Sequence, residues 1–171
     1  MDQEITRYLN DHLAGSSGAL LLIQELADSH AAPEAREFFL QLKEKVAADR
    51  GVLEDLLQRI GQNPSTLLKL AGGLAARIGG IKLMWEQIEP GKLGLFEALE
   101  MLALGVQGKS LLWVALTEIA PWFPEWRGID FTKLELQAIQ QWDEIEFWRI
   151  EAAMDILVDE ERRTGRTHAA D

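Results

Sequence analysis

The sequence contains no cysteine, only five prolines and only three histidines among its 171 residues. Without cysteine the chain forms no disulfide, holds no thiolate-bound iron–sulfur cluster and carries out no thiol catalysis. Residues 1–10 carry acids and lack an apolar segment, so no secretory signal is expected. These features are compatible with a cytoplasmic protein, and that is the location we predict.

Basic residues are also few compared with acidic ones. The chain has 17 Lys and Arg against 28 Asp and Glu, which gives a net charge of −11. An acidic surface disfavours nucleic acid and anionic membranes as partners. Charged and amide residues interrupt the apolar stretches too often for a bilayer span. With 47% apolar residues, we predict one soluble domain over residues 1–163 and a flexible tail over 164–171.

The longest apolar stretch covers residues 92–120 and predicts one long helix. After its first turn it carries four charged residues, Glu97, Glu100, Lys109 and Glu118. A helix this apolar is expected to be enclosed by the rest of the chain. The core is predicted to consist of Leu9, Leu13, Leu20, Ile23, Phe39, Leu42, Val46, Leu53, Phe96, Leu104, Leu111, Val114, Ile145 and Trp148.

Two amphipathic helices precede this stretch. The first runs from Asp2 to about residue 28, and the second begins at Pro33 and stops at Gly61. The short link between them makes them antiparallel neighbours. Small residues fill positions 14–19 of the first helix. We interpret them as a surface for close approach of another helix; the alternative is space for a ligand.

Residues 63–91 contain the glycine pairs 72–73 and 79–80, which weaken a helix. We predict a broken helix that crosses the bundle, with a small-residue dimer face as the alternative. Pro121 ends the central helix, and the aromatic loop 121–130 is predicted to plug one end of the bundle. Exposed, the same loop would be a patch for a partner. A capping box at Thr132 then opens a last helix, which runs to about Arg162.

Four long helices and a broken one, without any strand pattern, predict an all-α fold. The broken helix lies between the second and third long helices, where a crossover connection belongs. By this topology and by helix lengths, the chain resembles the ferritin-like superfamily of four-helix bundles. At sequence level, residues 8–15 (YLNDHLAG) and 105–113 (GVQGKSLLW) resemble a group of small bacterial helical proteins without an assigned activity.

The resemblance does not extend to the di-iron chemistry of that superfamily. A ferritin-like di-iron site uses a Glu from each of two helices and a Glu-x-x-His from each of the other two. The histidines are His12, His30 and His168, and none stands three residues after a glutamate. We therefore expect no cofactor and no catalytic residues, and we favour a protein that is not an enzyme.

Several polar residues nevertheless fall on the predicted core stripes. Counting from the loops places His12, Asp49, Lys109 and Gln141 at similar heights, with Glu100 nearer the other end. We predict a polar core network of His12, Asp49, Glu100 and Lys109, with His12 beside Asp49 and Lys109 beside a carboxylate. The alternative is a non-standard metal site formed by His12, Asp49, Glu97 and Glu100.

Three functional hypotheses follow from the sequence. The favoured one is association with a protein partner, of which a homodimer is the simplest form. The second is metal binding at the His and carboxylate residues named above. The third is carriage of an apolar ligand between the small-residue surface of the first helix and the central helix.

Overall fold

The computed structural model describes residues 2–29, 32–62, 92–159 and 162. Within these ranges the chain is helical and has no strand, which confirms the all-α prediction. The four long helices are α1 (Asp2–Ser29), α2 (Pro33–Arg59), α3 (Lys92–Ile119) and α4 (Phe131–Leu157). Two 3₁₀ turns, Ala120–Trp122 and Pro124–Trp126, follow α3. The predicted broken helix, residues 66–87, and the tail 164–171 lie outside the described residues.

Most of the predicted helix ends are confirmed. Pro33 opens α2, and Gly61 follows its end with a φ of 77°, a left-handed conformation that suits glycine. The predicted cap of α4 is wrong, because Asp130 takes that role in place of Thr132. Its carboxylate accepts a hydrogen bond from the backbone N–H of Lys133 at 2.9 Å. The helix also ends at Leu157, one turn earlier than predicted.

The helices form two antiparallel hairpins, α1–α2 and α3–α4, which meet mainly through α1 and α3. Side chains also join α2 to α4: Lys45 pairs with Glu144 at 2.6 Å, and Phe38 stacks on Trp148. These contacts run in opposite chain directions, so α2 and α4 are antiparallel. Since α4 is also antiparallel to α3, α2 and α3 run in the same direction. Consistent with this, Arg59 at the end of α2 donates to the carbonyl of Glu125, just beyond α3.

The predicted core is confirmed on three helices and wrong on α3. Leu104 and Leu111 are 63% and 65% exposed, and Val114 is exposed as well. Apolar residues occur all round α3, so its sequence contains little periodicity to indicate which side faces inward. The side that does face inward carries Leu99, Leu102, Val106, Leu112, Trp113 and Leu116. Leu20, Phe96 and Trp148 pack against the core while half-buried.

The expectation that α3 is enclosed is also wrong. The segment Leu93–Trp122 is long and apolar enough to cross a membrane, as the core helices of many soluble proteins are, yet only 39% of its most apolar window is buried. Among the residues that the structure describes, twelve of the fifteen exposed large hydrophobic ones lie between residues 93 and 157, on α3, on α4 and in the turn between them. We call those on the two helices the α3–α4 outer face. They are Leu93, Leu104, Leu111, Val114, Leu136, Ile139, Trp142, Phe147, Ile150, Met154 and Leu157.

Candidate functional site

A buried triad of polar side chains joins three helices. Lys109 of α3 donates from Nζ to Oδ2 of Asp49 on α2 at 2.5 Å, and to Oε1 of Gln141 on α4. Gln141 in turn donates from Nε2 to the same Asp49 oxygen at 3.2 Å. Asp49 and Gln141 are both buried, and the Lys109 side chain is nearly so. Each member of the triad therefore has partners for its charge or its amide group.

The helical repeat places these three residues in the core. Asp49 lies between Val46 and Leu53 on the buried stripe of α2, and Gln141 lies between Ala138 and Ile145 on that of α4. Steps of three and four residues keep such positions on one face of a helix. Burial lowers the pKa of Lys109 because it disfavours the ammonium form, while the adjacent Asp49 carboxylate opposes that shift. The sequence pattern thus brings charge into the core together with its counter-charge.

His12 lies apart from this triad. It is half-buried on α1, and its ring meets the Tyr8 ring edge-on, with 4.8 Å between centroids. No hydrogen bond joins His12 to Asp49, so this part of the prediction is wrong; Oδ2 of Asp49 accepts from Lys109 and Gln141 instead. Burial lowers the pKa of His12 below its ordinary value of 6.5, against the opposing effect of Asp11. The imidazole is therefore neutral at neutral pH.

The predicted carboxylates of α3 do not reach the core. Glu100 accepts from Nη1 of Arg149 at 3.2 Å, and 46% of its side chain is exposed. Glu97 is exposed on the same helix. In the part of the chain that the structure describes, no three His, Asp or Glu side chains lie close enough to hold a metal ion. His12, Asp49, Glu97 and Glu100 are therefore not assembled into the alternative metal site.

An apolar cavity of about 530 Å³ lies between α1 and α3, with α2 as its floor. We call it the α1–α3 cavity. One wall includes the small residues of α1, and the other includes Gly105 and Gly108 of α3. The floor is formed by Leu42, Val46 and Leu53. The two glycines of α3 were missed in the sequence, although a Gly-x-x-Gly pair inside a helix costs about 1 kcal/mol per glycine relative to alanine and so signals a role.

Three of the glycines that line this cavity are not in close contact with a neighbouring helix. A Cβ atom added at Gly15, Gly105 or Gly108 would meet no other atom within 4 Å. The interpretation of residues 14–19 as a close-packing surface is therefore wrong at Gly15. Gly15 is exposed to solvent, and the alternative, space for a ligand, stays a prediction.

The polar groups on the cavity wall carry no unbalanced buried charge. Lys109 reaches the wall with its ammonium group held by Asp49 and Gln141. Ser16 donates to the carbonyl of Leu13 at 2.7 Å and accepts from Arg50 at 3.2 Å. His12 makes no hydrogen bond with any residue in the described ranges. It is thus the polar side chain of the wall whose hydrogen-bonding capacity is available to a ligand.

Comparisons with known protein families, curated proteins and solved structures found no match to this chain.

Proposed function

We propose that this protein acts by association through the α3–α4 outer face, and that a second copy of the chain is the partner. The observation that supports this most directly is the concentration of exposed large hydrophobic residues on one hairpin, while α1 and α2 expose only three, Tyr8, Leu21 and Leu40, in their described parts. Exposed apolar surface that is collected on one side of a soluble protein marks an interaction site.

The two helices contribute to one continuous surface. A shallow groove between α3 and α4 is lined by Leu104 and Gln107 of α3 and by Trp142 and Arg149 of α4. Glu100 and Glu146 also line it, and both pair with Arg149. Leu104 and Leu111 lie seven residues apart, so both point the same way along α3. The apolar strip therefore extends along α3 and continues across the groove to α4.

A second copy is the partner whose chemistry fits this face best. In a two-fold contact the same patch meets itself, so an apolar patch is automatically matched with an apolar patch. The chain as a whole carries a charge of −11, and two copies repel each other elsewhere. The stretch of the α3 outer face from Leu104 to Val114 contains Leu111 and the neutral Gln107 and carries no acid, so it is where two acidic copies can meet.

Sedimentation equilibrium of purified variants tests the proposal. The wild type is expected to be a dimer, and the double variant Leu104→Glu/Leu111→Glu a monomer. The matched control is Leu21→Glu/Leu40→Glu, which places the same charges on exposed leucines of α1 and α2 and should remain a dimer. A wild type that stays monomeric at the highest attainable concentration would overturn self-association.

We further propose that the chain has a ferritin-like arrangement. Two antiparallel hairpins in which α2 and the next long helix of the chain, α3, run parallel are what one long crossover connection produces. Spin labels at Arg59 and Glu97, both exposed and neither on the α3–α4 outer face, test the arrangement by pulsed electron resonance. Parallel helices put these labels roughly 35 Å apart, most of the length of α3; a short distance would indicate a simple up-down bundle.

A second candidate function is the carriage of a small apolar ligand in the α1–α3 cavity. Its volume of about 530 Å³ lies within the range of roughly 300–1,000 Å³ that is usual for small-molecule sites. Native mass spectrometry should show a bound molecule that dissociates on unfolding. A protein that carries no adduct and takes up no apolar compound would count against this function.

A further inference from the structure

We infer that the α1–α3 cavity selects an uncharged apolar molecule with one hydroxyl group, of the kind represented by a medium-chain alcohol, and that His12 binds the hydroxyl. The inference rests on the second candidate function above and names the ligand class for that site. It depends on three features of the cavity: its apolar wall, its neutralised charges and the available imidazole.

The wall favours an apolar body for the ligand. Ala19, Leu22 and Ile23 of α1 face Met101, Leu102 and Leu112 of α3 across the space. Burial of each methylene group in such surroundings contributes about 0.8 kcal/mol. An alkyl chain therefore gains affinity with length until the cavity is filled.

The fixed charges disfavour an anionic ligand. A ligand carboxylate would compete with Asp49 for Lys109, whose ammonium group is already held by Asp49 and Gln141. Its arrival would leave two carboxylates beside one ammonium group in a largely apolar site. Unpaired charge in such a site is strongly unfavourable.

A cationic ligand is also disfavoured in this cavity. Asp11 is the one acidic residue on the described lining, and it is exposed at the mouth. An exposed ion pair contributes only about 0–1 kcal/mol. That is too little to offset the desolvation of an ammonium group on the apolar wall.

The imidazole of His12 suits a hydroxyl group. A neutral imidazole has one N–H donor and one nitrogen acceptor, and a hydroxyl can both donate and accept. The edge-on contact with Tyr8 limits how the ring can turn. Since His12 makes no hydrogen bond with any other described residue, a hydroxyl can bind it without displacing a protein partner.

A series of ligands with one chain length tests this class. Decanol, decanoate and decylammonium are titrated against the full-length protein loaded with an uncharged fluorescent naphthylamine, and displacement is measured. Decanol is expected to bind at least about tenfold more tightly than either ion. The variant His12→Phe keeps an apolar ring of similar size and should lower decanol affinity about two- to tenfold, the effect of one hydrogen bond, with little effect on the ions.

Blocking variants locate the site. Gly105→Leu places a side chain in the open space of the cavity and should abolish displacement by every ligand. Gly51→Leu is the matched control, because Gly51 is also a helical glycine with open space around its Cβ position and does not line the cavity. Gly15→Leu on the opposite wall provides a second block if Gly105→Leu does not fold, as judged by circular dichroism.

The outcomes distinguish the ligand-carrying function from the inferred class of ligand. If neither the naphthylamine nor any ligand of the series binds, the ligand-carrying function itself is wrong. If the ligands bind and the block removes them, but decanoate or decylammonium binds as tightly as decanol, the function stands and the inferred class is wrong. Binding that survives both blocking variants would place the ligand elsewhere and overturn the inference.

Discussion

Asp49 is the carboxylate on which the buried triad depends, since both Lys109 and Gln141 donate to it. The variant Asp49→Leu keeps the volume similar but leaves the Lys109 ammonium group without a counter-charge. Removal of one partner of a buried pair costs about 3–5 kcal/mol. We therefore expect a loss of that size in urea unfolding. The double variant Asp49→Leu/Lys109→Met should lose much less, and equal losses would show that the pairing contributes nothing.

The titration of His12 makes stability depend on pH. Burial lowers its pKa in the folded chain below 6.5, so the unfolded chain takes up the proton first as the pH falls. The part of the stability that comes from neutral His12 is fully present above pH 6.5 and is lost as the pH drops from there through the folded pKa. On α1 the ring meets Tyr8 and is acted on by the charge of Asp11. Lys109, held by Asp49, lines the same cavity.

The variant His12→Gln measures this contribution. Its unfolding free energy should fall less than that of the wild type between about pH 7.5 and pH 5. The His12 signal, identified in nuclear magnetic resonance spectra by its loss in the variant, should titrate below 6.5. A His12 pKa above 6.5 would mean that the ring gains more from its neighbours than it loses by burial.

Residue-level prediction from sequence succeeds where height along a helix is sufficient. Asp49, Lys109 and Gln141 could be placed at one height by counting from the loops, and they meet in the structure. Height does not determine direction around the helix axis. For that reason His12 was assigned to a carboxylate that Lys109 and Gln141 already occupy, and Glu100 was assigned to a core that it does not enter.

The buried side could be predicted from sequence for three of the helices but not for α3. On α1, α2 and α4, apolar and polar residues alternate with the helical period, so the buried side could be predicted. On α3 apolar side chains occur on every side of the helix, and exposed Leu104 and buried Leu102 look alike in sequence. Which side of α3 faces inward depends on its tertiary contacts. These include the pairing of Lys109 with Asp49 and Gln141 and the packing of α3 against α4.

The predicted plug in the turn after α3 is formed mainly by one buried indole, that of Trp126. Trp126 is buried, stacks on Phe123 with 4.1 Å between ring centroids, and donates from Nε1 to the carbonyl of Leu56 at 3.2 Å. Trp122, four residues earlier, is 71% exposed. The predicted plug is therefore confirmed for Trp126, while Trp122 lies on the surface.

Substitution of the two tryptophans separates these roles. Trp126→Ala removes a buried aromatic side chain and a hydrogen bond, and should cost about 3–5 kcal/mol in urea unfolding. Trp122→Ala removes an exposed side chain of the same type and should change stability by less than about 0.5 kcal/mol. Similar losses in both variants would contradict the assignment of the plug to Trp126.

At the scale of the whole molecule, the net charge and the apolar outer face act in opposite directions. A charge of −11 on each copy repels a second copy over distances of about 8–10 Å at moderate salt and further at low salt. Apolar contact between the α3–α4 outer faces is short-ranged and depends little on salt at these concentrations. If that contact forms the dimer, added salt weakens the repulsion between the two acidic copies and leaves the apolar attraction nearly unchanged.

Higher salt is therefore expected to tighten the dimer. Sedimentation equilibrium at low and at moderate sodium chloride should give a lower dissociation constant at the higher salt concentration. The Leu104→Glu/Leu111→Glu variant should remain monomeric at both, which shows that the effect acts through the outer face. A dimer that weakens with salt would instead be joined by ion pairs, and the outer face would then not be the surface on which the two copies meet.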